Sequence, residues 1–200
     1  MKTRTGYVSN SSSSSFLILY HDLDDFGKFS QFKGYDEFMN SMSCSSPEES
    51  KQDSLDHIRQ VLREGCHFIR SKFLYGDEYY SRVFEFLWMD ELNENGVENK
   101  FLKRFDEYFC KVEEAYYSIN PGDDAEKREE FNRRCYELEP DCDKMAEEIY
   151  AFFKEKGWKI ERLEYCDDCG EAGAYMEHEF MPFLSYNPER NYDIHCLNQH

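Results

Sequence analysis

A chain of 200 residues suits a single globular domain, and a 40% hydrophobic, 17% aromatic composition supplies enough large rings for a buried core, which argues against disorder. Against 24 basic residues stand 42 acidic ones, a formal net charge of -18, so direct binding to nucleic acid or to an anionic membrane surface is not expected.

The N-terminal stretch reads Arg4-Thr5-Gly6-Tyr7-Val8-Ser9-Asn10, then five serines, Ser11 to Ser15, then Phe16. It resembles a signature, Gly-aromatic-Val-Ser-Asn followed by a serine run and Phe, found at the start of many uncharacterised, often phage-encoded proteins. The resemblance spans only Arg4 to Phe16, implies a viral or mobile-element origin, and carries over no activity. The serines themselves read as a polar lead-in whose hydroxyls satisfy backbone groups, or as a loop offering hydroxyls to an anion.

Phe16 to Tyr20 is the longest continuous apolar run and has the pattern of a buried strand. It is too short to span a membrane, and the polar residues before it are not a signal peptide, so a cytoplasmic location is expected. In that setting the eight cysteines read as core residues, metal ligands or reactive thiols.

Residues 22–31 look like a loop, and the Ser/Glu-rich stretch 41–54 like an exposed connection. From Asp53, the spacing of Leu55, Ile58, Val61 and Leu62 predicts a helix ending at Gly65. Tyr80, Val83, Phe84, Leu87 and Trp88 predict a second, stopping near Gly96. A third runs through Phe101, Phe105, Tyr108, Phe109, Val112 and Tyr116 to the break at Asn120-Pro121-Gly122. Residues 123–138 form a charged helix with a narrow stripe of Phe131, Cys135 and Leu138, and with Glu129–Arg133 and Glu130–Arg134 at favourable spacing. A fifth helix covers 143–156, with Met145, Ile149, Phe152 and Phe153 inward and Gly157 beyond its end.

Residues 158–165 then read as a strand with a bulge near Arg162. Past the turn Cys166-Asp167-Asp168-Cys169-Gly170, alternation of Ala174, Met176, His178 and Phe180 predicts a returning antiparallel strand. The fold class expected is α+β: one domain over 1–200, a body of about five helices packed on a small antiparallel sheet, and a C-terminal hairpin, 158–200, resembling a zinc knuckle. The first strand is expected to pair with the last two.

Two cysteines flanking a tight turn can place both thiolates on one ion, so Cys166 and Cys169 are zinc candidates. His178 and Cys196 are the downstream ligands expected, with His195 or His200 able to substitute. The plainer reading is two reduced thiols in a turn and His178 packed beside Met176 and Phe180. A redox role would need a thiolate at a helix N-terminus, which Gly170, Gly173 and the flanking aspartates disfavour.

Asp22 and Asp24 follow the first strand, and Asp167 and Asp168 follow a later one, where carboxylates can hold Mg2+ for phosphoryl transfer. These pairs resemble the Asp-x-Asp and Asp-Asp elements of the haloacid-dehalogenase phosphohydrolases, although about three strands fall short of that family's doubly wound sheet. A solvated acidic loop with an Asp capping a turn explains the same residues. Phosphate-loop, zincin and nucleophile-elbow motifs are absent from the sequence.

The acidity also suggests mimicry of DNA phosphates, by Asp124, Glu126, Glu129, Glu130, Glu137, Glu139, Asp141, Asp143, Glu147 and Glu148. A solvated charged face is the ordinary alternative. The function expected is that of a phage-type accessory protein that binds a host or phage protein, with acidic inhibition of a host nucleic-acid-binding or defence enzyme as the sharper form. A metal-dependent phosphohydrolase is the alternative.

Overall fold

The computed structural model of the chain describes residues 13–42, 47–76, 92, 99–166, 170–185 and 194–199. The fold is α+β, with a three-stranded antiparallel sheet. The chain divides into two compact units, Met1–Ser54 with Phe153–His200, and Leu55–Phe152. No helix among the described residues is long and apolar enough to cross a membrane.

The first unit holds the sheet. Strand β1 (Ser13–Tyr20) is central, with β2 (Lys159–Cys166) and β3 (Ile194–Gln199) on either side, both antiparallel to it. The first strand therefore pairs with two C-terminal strands, but only one of them, Lys159–Cys166, matches an expected partner; the other comes from the tail and not from 174–180. It also begins before the apolar run, because β2 offers backbone partners as far as Cys166, opposite Ser13.

Both faces of β1 are buried. Phe16, Ile18 and Tyr20 share one face with Leu163, Ile194 and Cys196 across the ladders, while Leu17 and Leu19 occupy the other with Ile160. This removes the need for the bulge expected near Arg162, and the β1–β2 register runs unbroken from Lys159 to Cys166. Ile160 and Leu163 lie an odd number of residues apart and bury on opposite faces. On the Ile160 side, the hydroxyls of Ser50 and Ser54 donate to the Ile160 carbonyl at 3.2 and 3.3 Å.

Residues 22–31, expected as a loop, contain a 3-10 helix, Leu23–Phe29, that turns Phe26 and Phe29 inward. Helix α1 (Tyr35–Met42) adds Phe38 and Met42. Rings of Tyr20, Phe26, Phe38 and Phe180 meet edge to face at 5.4, 5.0 and 5.3 Å in that order and form the centre of this core. Gly34, at φ 81°, brings the chain into α1 where a Cβ would stand 2.9 Å from the Met176 sulfur and the Tyr175 ring.

The strand expected over 174–180 is helical instead: α6 (Gly170–Tyr175), a π-helical turn (Met176–Phe180) and α7 (Met181–Ser185). The buried positions here are Gly173, Met176, Glu177, Phe180, Met181 and Leu184, which is helical spacing. The last strand comes later, from the tail.

The second unit is helical. Helix α2 (Pro47–Tyr75) starts in the first unit and continues well past Gly65. The apolar spacing persists through Leu62, Cys66 and Ile69, and burial of that stripe outweighs the roughly 1 kcal/mol that a mid-helix glycine costs. Gly76, at φ 72°, is the actual terminator, its N–H donating to the Lys72 carbonyl.

Helices α3 (Lys100–Ile119), α4 (Ala125–Leu138) and α5 (Cys142–Glu155) follow the predicted positions closely. Asn99 and Asp124 cap α3 and α4 by accepting from two backbone N–H groups each, and Asn120 ends α3 in the left-handed conformation. Phe131 of α4 meets Tyr116 of α3 edge to face at 5.7 Å, and Phe73 of α2 packs on Phe109 and Tyr116. The helix expected over Tyr80 to Trp88, and Gly96, lie outside the described residues.

Candidate functional site

The zinc set assembled from the sequence does not come together as a whole. Cys166 pairs with Ser13 and Cys196 with Ile18, so the two cysteines sit five β1 positions apart, about 17 Å along the sheet, and on opposite faces. One ion cannot reach both, because a Zn–S bond is about 2.3 Å. Cys196 is buried, with its thiol directed at the Met181 carbonyl at 3.8 Å. His178 is exposed on the π turn and does not pack between Met176 and Phe180, since helical geometry turns it away from the face they share. Cys169, His200 and the side chain of His195 lie outside the described residues. Among the described residues no group of three metal-ligating side chains is present.

Of the two acidic pairs only the first is described: Asp22 follows Tyr20, which pairs with Lys159 at the start of β2. Asp167 and Asp168 themselves lie outside the described residues.

Asp22 has a structural occupation: it caps the 3-10 helix, accepting from the Asp24 N–H at 3.2 Å while Asp25 accepts from the Asp22 N–H at 2.9 Å. The reciprocal arrangement is a capping box, and Asp24 sits in the first turn where its charge favours the helix N-terminus. Asp22→Ala is expected to lower the unfolding free energy by about 1 kcal/mol, read by urea denaturation, whereas Asp24→Ala should cost less. Equal losses would contradict the capping role.

A polar contact that sequence reasoning did not foresee joins the serine tract to the π turn. Ser14, fully buried, donates to Glu177 Oε1 at 2.9 Å, and Glu177 is itself only 1% exposed. The other carboxylate oxygen has no hydrogen-bond partner among the described residues. Read as a strand, Glu177 appears as surface punctuation; the helical stripe puts it inside. Toward the other end of the same sheet face, Glu161 accepts from the Tyr20 hydroxyl at 2.7 Å. Burial holds the Glu161 carboxyl above the usual carboxylate range, partly offset by that hydrogen bond and by Lys159.

In the second unit, seven of the ten carboxylates proposed to imitate phosphates are already engaged. Asp124 and Asp141 accept from helix-start N–H groups, and Glu137 pairs with Arg133 and Arg134. Glu139 pairs with Arg70, and Asp143 bridges Arg59 and Arg63. Glu147 reaches Arg59 at 4.0 Å, and Glu148 binds Arg104 and Lys100. Although desolvation opposes it, those two cations hold the Glu148 carboxyl below its ordinary range.

Glu126, Glu129 and Glu130 remain. They are exposed on α4, opposite buried Phe131 and Cys135, and make no ion pair among the described residues. The predicted Glu129–Arg133 and Glu130–Arg134 pairs give way to Arg133 and Arg134 both choosing Glu137. Tyr136, 60% exposed, lies on the same side of the helix.

Two pockets in this unit, about 480 Å³ along α2 at Asp56, Arg59 and His67, and about 340 Å³ at Tyr108, Glu139 and Lys144, contain none of the zinc or strand-end aspartate candidates. No family model, curated protein or solved structure matches the chain.

Proposed function

We propose that the protein acts by binding another protein, host or phage-encoded, through the exposed acidic face of α4. The observation that carries this reading is the set Glu126, Glu129 and Glu130, three exposed carboxylates that make no ion pair among the described residues, on a helix whose other side is fixed in the core. Exposed Tyr136 adds an amphipathic ring of the type that anchors interfaces. A basic partner surface is the complement. The net charge of -18 steers such a partner and repels nucleic acid.

The N-terminal signature supports a phage-type accessory protein working in the host cytoplasm. Inhibition of a nucleic-acid-binding or defence enzyme is the sharper form of the same reading, and it rests on these three carboxylates more than on the full set of ten. Capture from bacterial lysate tests the proposal. Wild type should retain a discrete partner at about 50 mM salt and lose it at about 500 mM, where screening shortens to a few ångströms. Glu126→Gln, Glu129→Gln, Glu130→Gln should lose it at both. A partner held equally by wild type and triple variant, or none held by wild type, sinks the proposal.

A further inference from the structure

Cys66 and Cys142 are far apart in sequence, yet their sulfurs stand 3.9 Å apart inside the second unit. Cys66 lies mid-way along α2 and is fully buried; Cys142 opens α5 and is 7% exposed. None of the six described cysteines is in a disulfide. A disulfide needs a sulfur separation of about 2.05 Å, about 2 Å less than that seen here.

The two thiols are chemically unequal. Cys142 occupies the first turn of a 14-residue helix, where the N-terminal end of the dipole favours a thiolate. The contact between the sulfurs holds Cys142 below the ordinary thiol range, opposed by burial, Glu139 and Asp143 and assisted by Arg63. The same contact, with burial, pushes Cys66 up. Cys142 keeps 7% of its surface exposed, and its chain neighbours Glu139, Pro140 and Asp141 line a pocket of about 340 Å³.

We propose that Cys66 and Cys142 form a peroxide-responsive dithiol that closes reversibly into a disulfide linking α2 to α5. The Cys142 thiolate attacks one oxygen of hydrogen peroxide, the O–O bond breaks, and hydroxide leaves and is protonated to water. Cys142 is then a sulfenic acid. The Cys66 sulfur attacks the Cys142 sulfur, the S–O bond breaks, and the departing hydroxide takes up the Cys66 proton as a second water. Both sulfurs are oxidised, and one peroxide is reduced to two waters. A dithiol reductant restores the starting pair.

Peptide mapping of the full chain tests this directly. The folded protein is treated with hydrogen peroxide, quenched, unfolded in acid, alkylated and digested without reductant. The expected result is a Cys66–Cys142 linked peptide that disappears on reduction and persists in the Cys135→Ala and Cys110→Ala variants. Closing so long a loop should also raise the thermal midpoint by roughly 5–15 °C. Recovery of Cys66 and Cys142 as alkylated thiols, their linkage to other cysteines, or oxidation of Cys142 to the sulfinic acid without a link would overturn the proposal. The wild-type map decides the matter even if a Cys66→Ala chain does not fold.

Discussion

Phe38→Ala is expected to lower the stability of the sheet-containing unit by about 3–5 kcal/mol, the largest effect of any single change considered. Phe38 is fully buried, and its ring is met edge to face by Phe26 at 5.0 Å and Phe180 at 5.3 Å. It therefore ties the 3-10 helix to the π turn within one core. Truncation removes the transfer term and leaves a cavity between rings whose own positions are fixed by Tyr20 and the sheet, so collapse is limited. Phe38→Leu, which keeps most of the volume, should cost about 1–2 kcal/mol. Urea unfolding followed by circular dichroism gives both numbers, and a Phe38→Ala loss below about 1 kcal/mol would mean that this core is not packed as described.

Arg70→Met should cost the helical unit about 2–3 kcal/mol. Arg70 is 7% exposed, forms an ion pair with Glu139, and lies 4.2 Å over the Tyr136 ring. Breaking a fully buried pair costs about 3–5 kcal/mol because a charge is stranded, but the Glu139 side chain is 24% exposed and regains some hydration, which reduces the figure. The double change Arg70→Met, Glu139→Gln removes the stranded charge and should be less damaging than the sum of the two single changes. Strict additivity in that double-mutant cycle would show that the pair contributes no coupling. Cys135, whose thiol burial pushes up to about 11 while Arg70 and Glu139 pull in opposite directions, marks how closely this ion pair is set into the core.

The parts of the fold that were legible in the sequence are those whose apolar period was unbroken. Phe101 to Tyr116 and the stripe of α5 locate their helices well, and Phe16 to Tyr20 locates the central strand. Two failures have physical causes. Gly65 does not end α2, because continued burial of Cys66 and Ile69 carries the helix onward. At 173–184 a charged residue, Glu177, occupies the buried stripe, and with it discounted the remaining apolar residues mimic a strand alternation.

The candidate site was less legible still, because pair contacts across long separations leave no local trace. Cys166 and Cys196 share a sheet but not a face, a fact that register alone decides. Cys66 and Cys142 each appear as one more apolar position on a helix, and Arg70 with Glu139 as one more pair of surface charges. The spare carboxylates of α4 emerge only by subtraction, after Arg133 and Arg134 are seen to prefer Glu137.

Hydrogen exchange on the full chain, alone and with its captured partner, locates the binding face. Binding through the acidic face predicts slowed exchange concentrated in residues 125–138 of α4, with the sheet around Phe16 to Tyr20 unchanged, and loss of that protection when Glu126, Glu129 and Glu130 are replaced by glutamine. Protection confined to the sheet-containing unit, with α4 exchanging at its free rate in the complex, would contradict it.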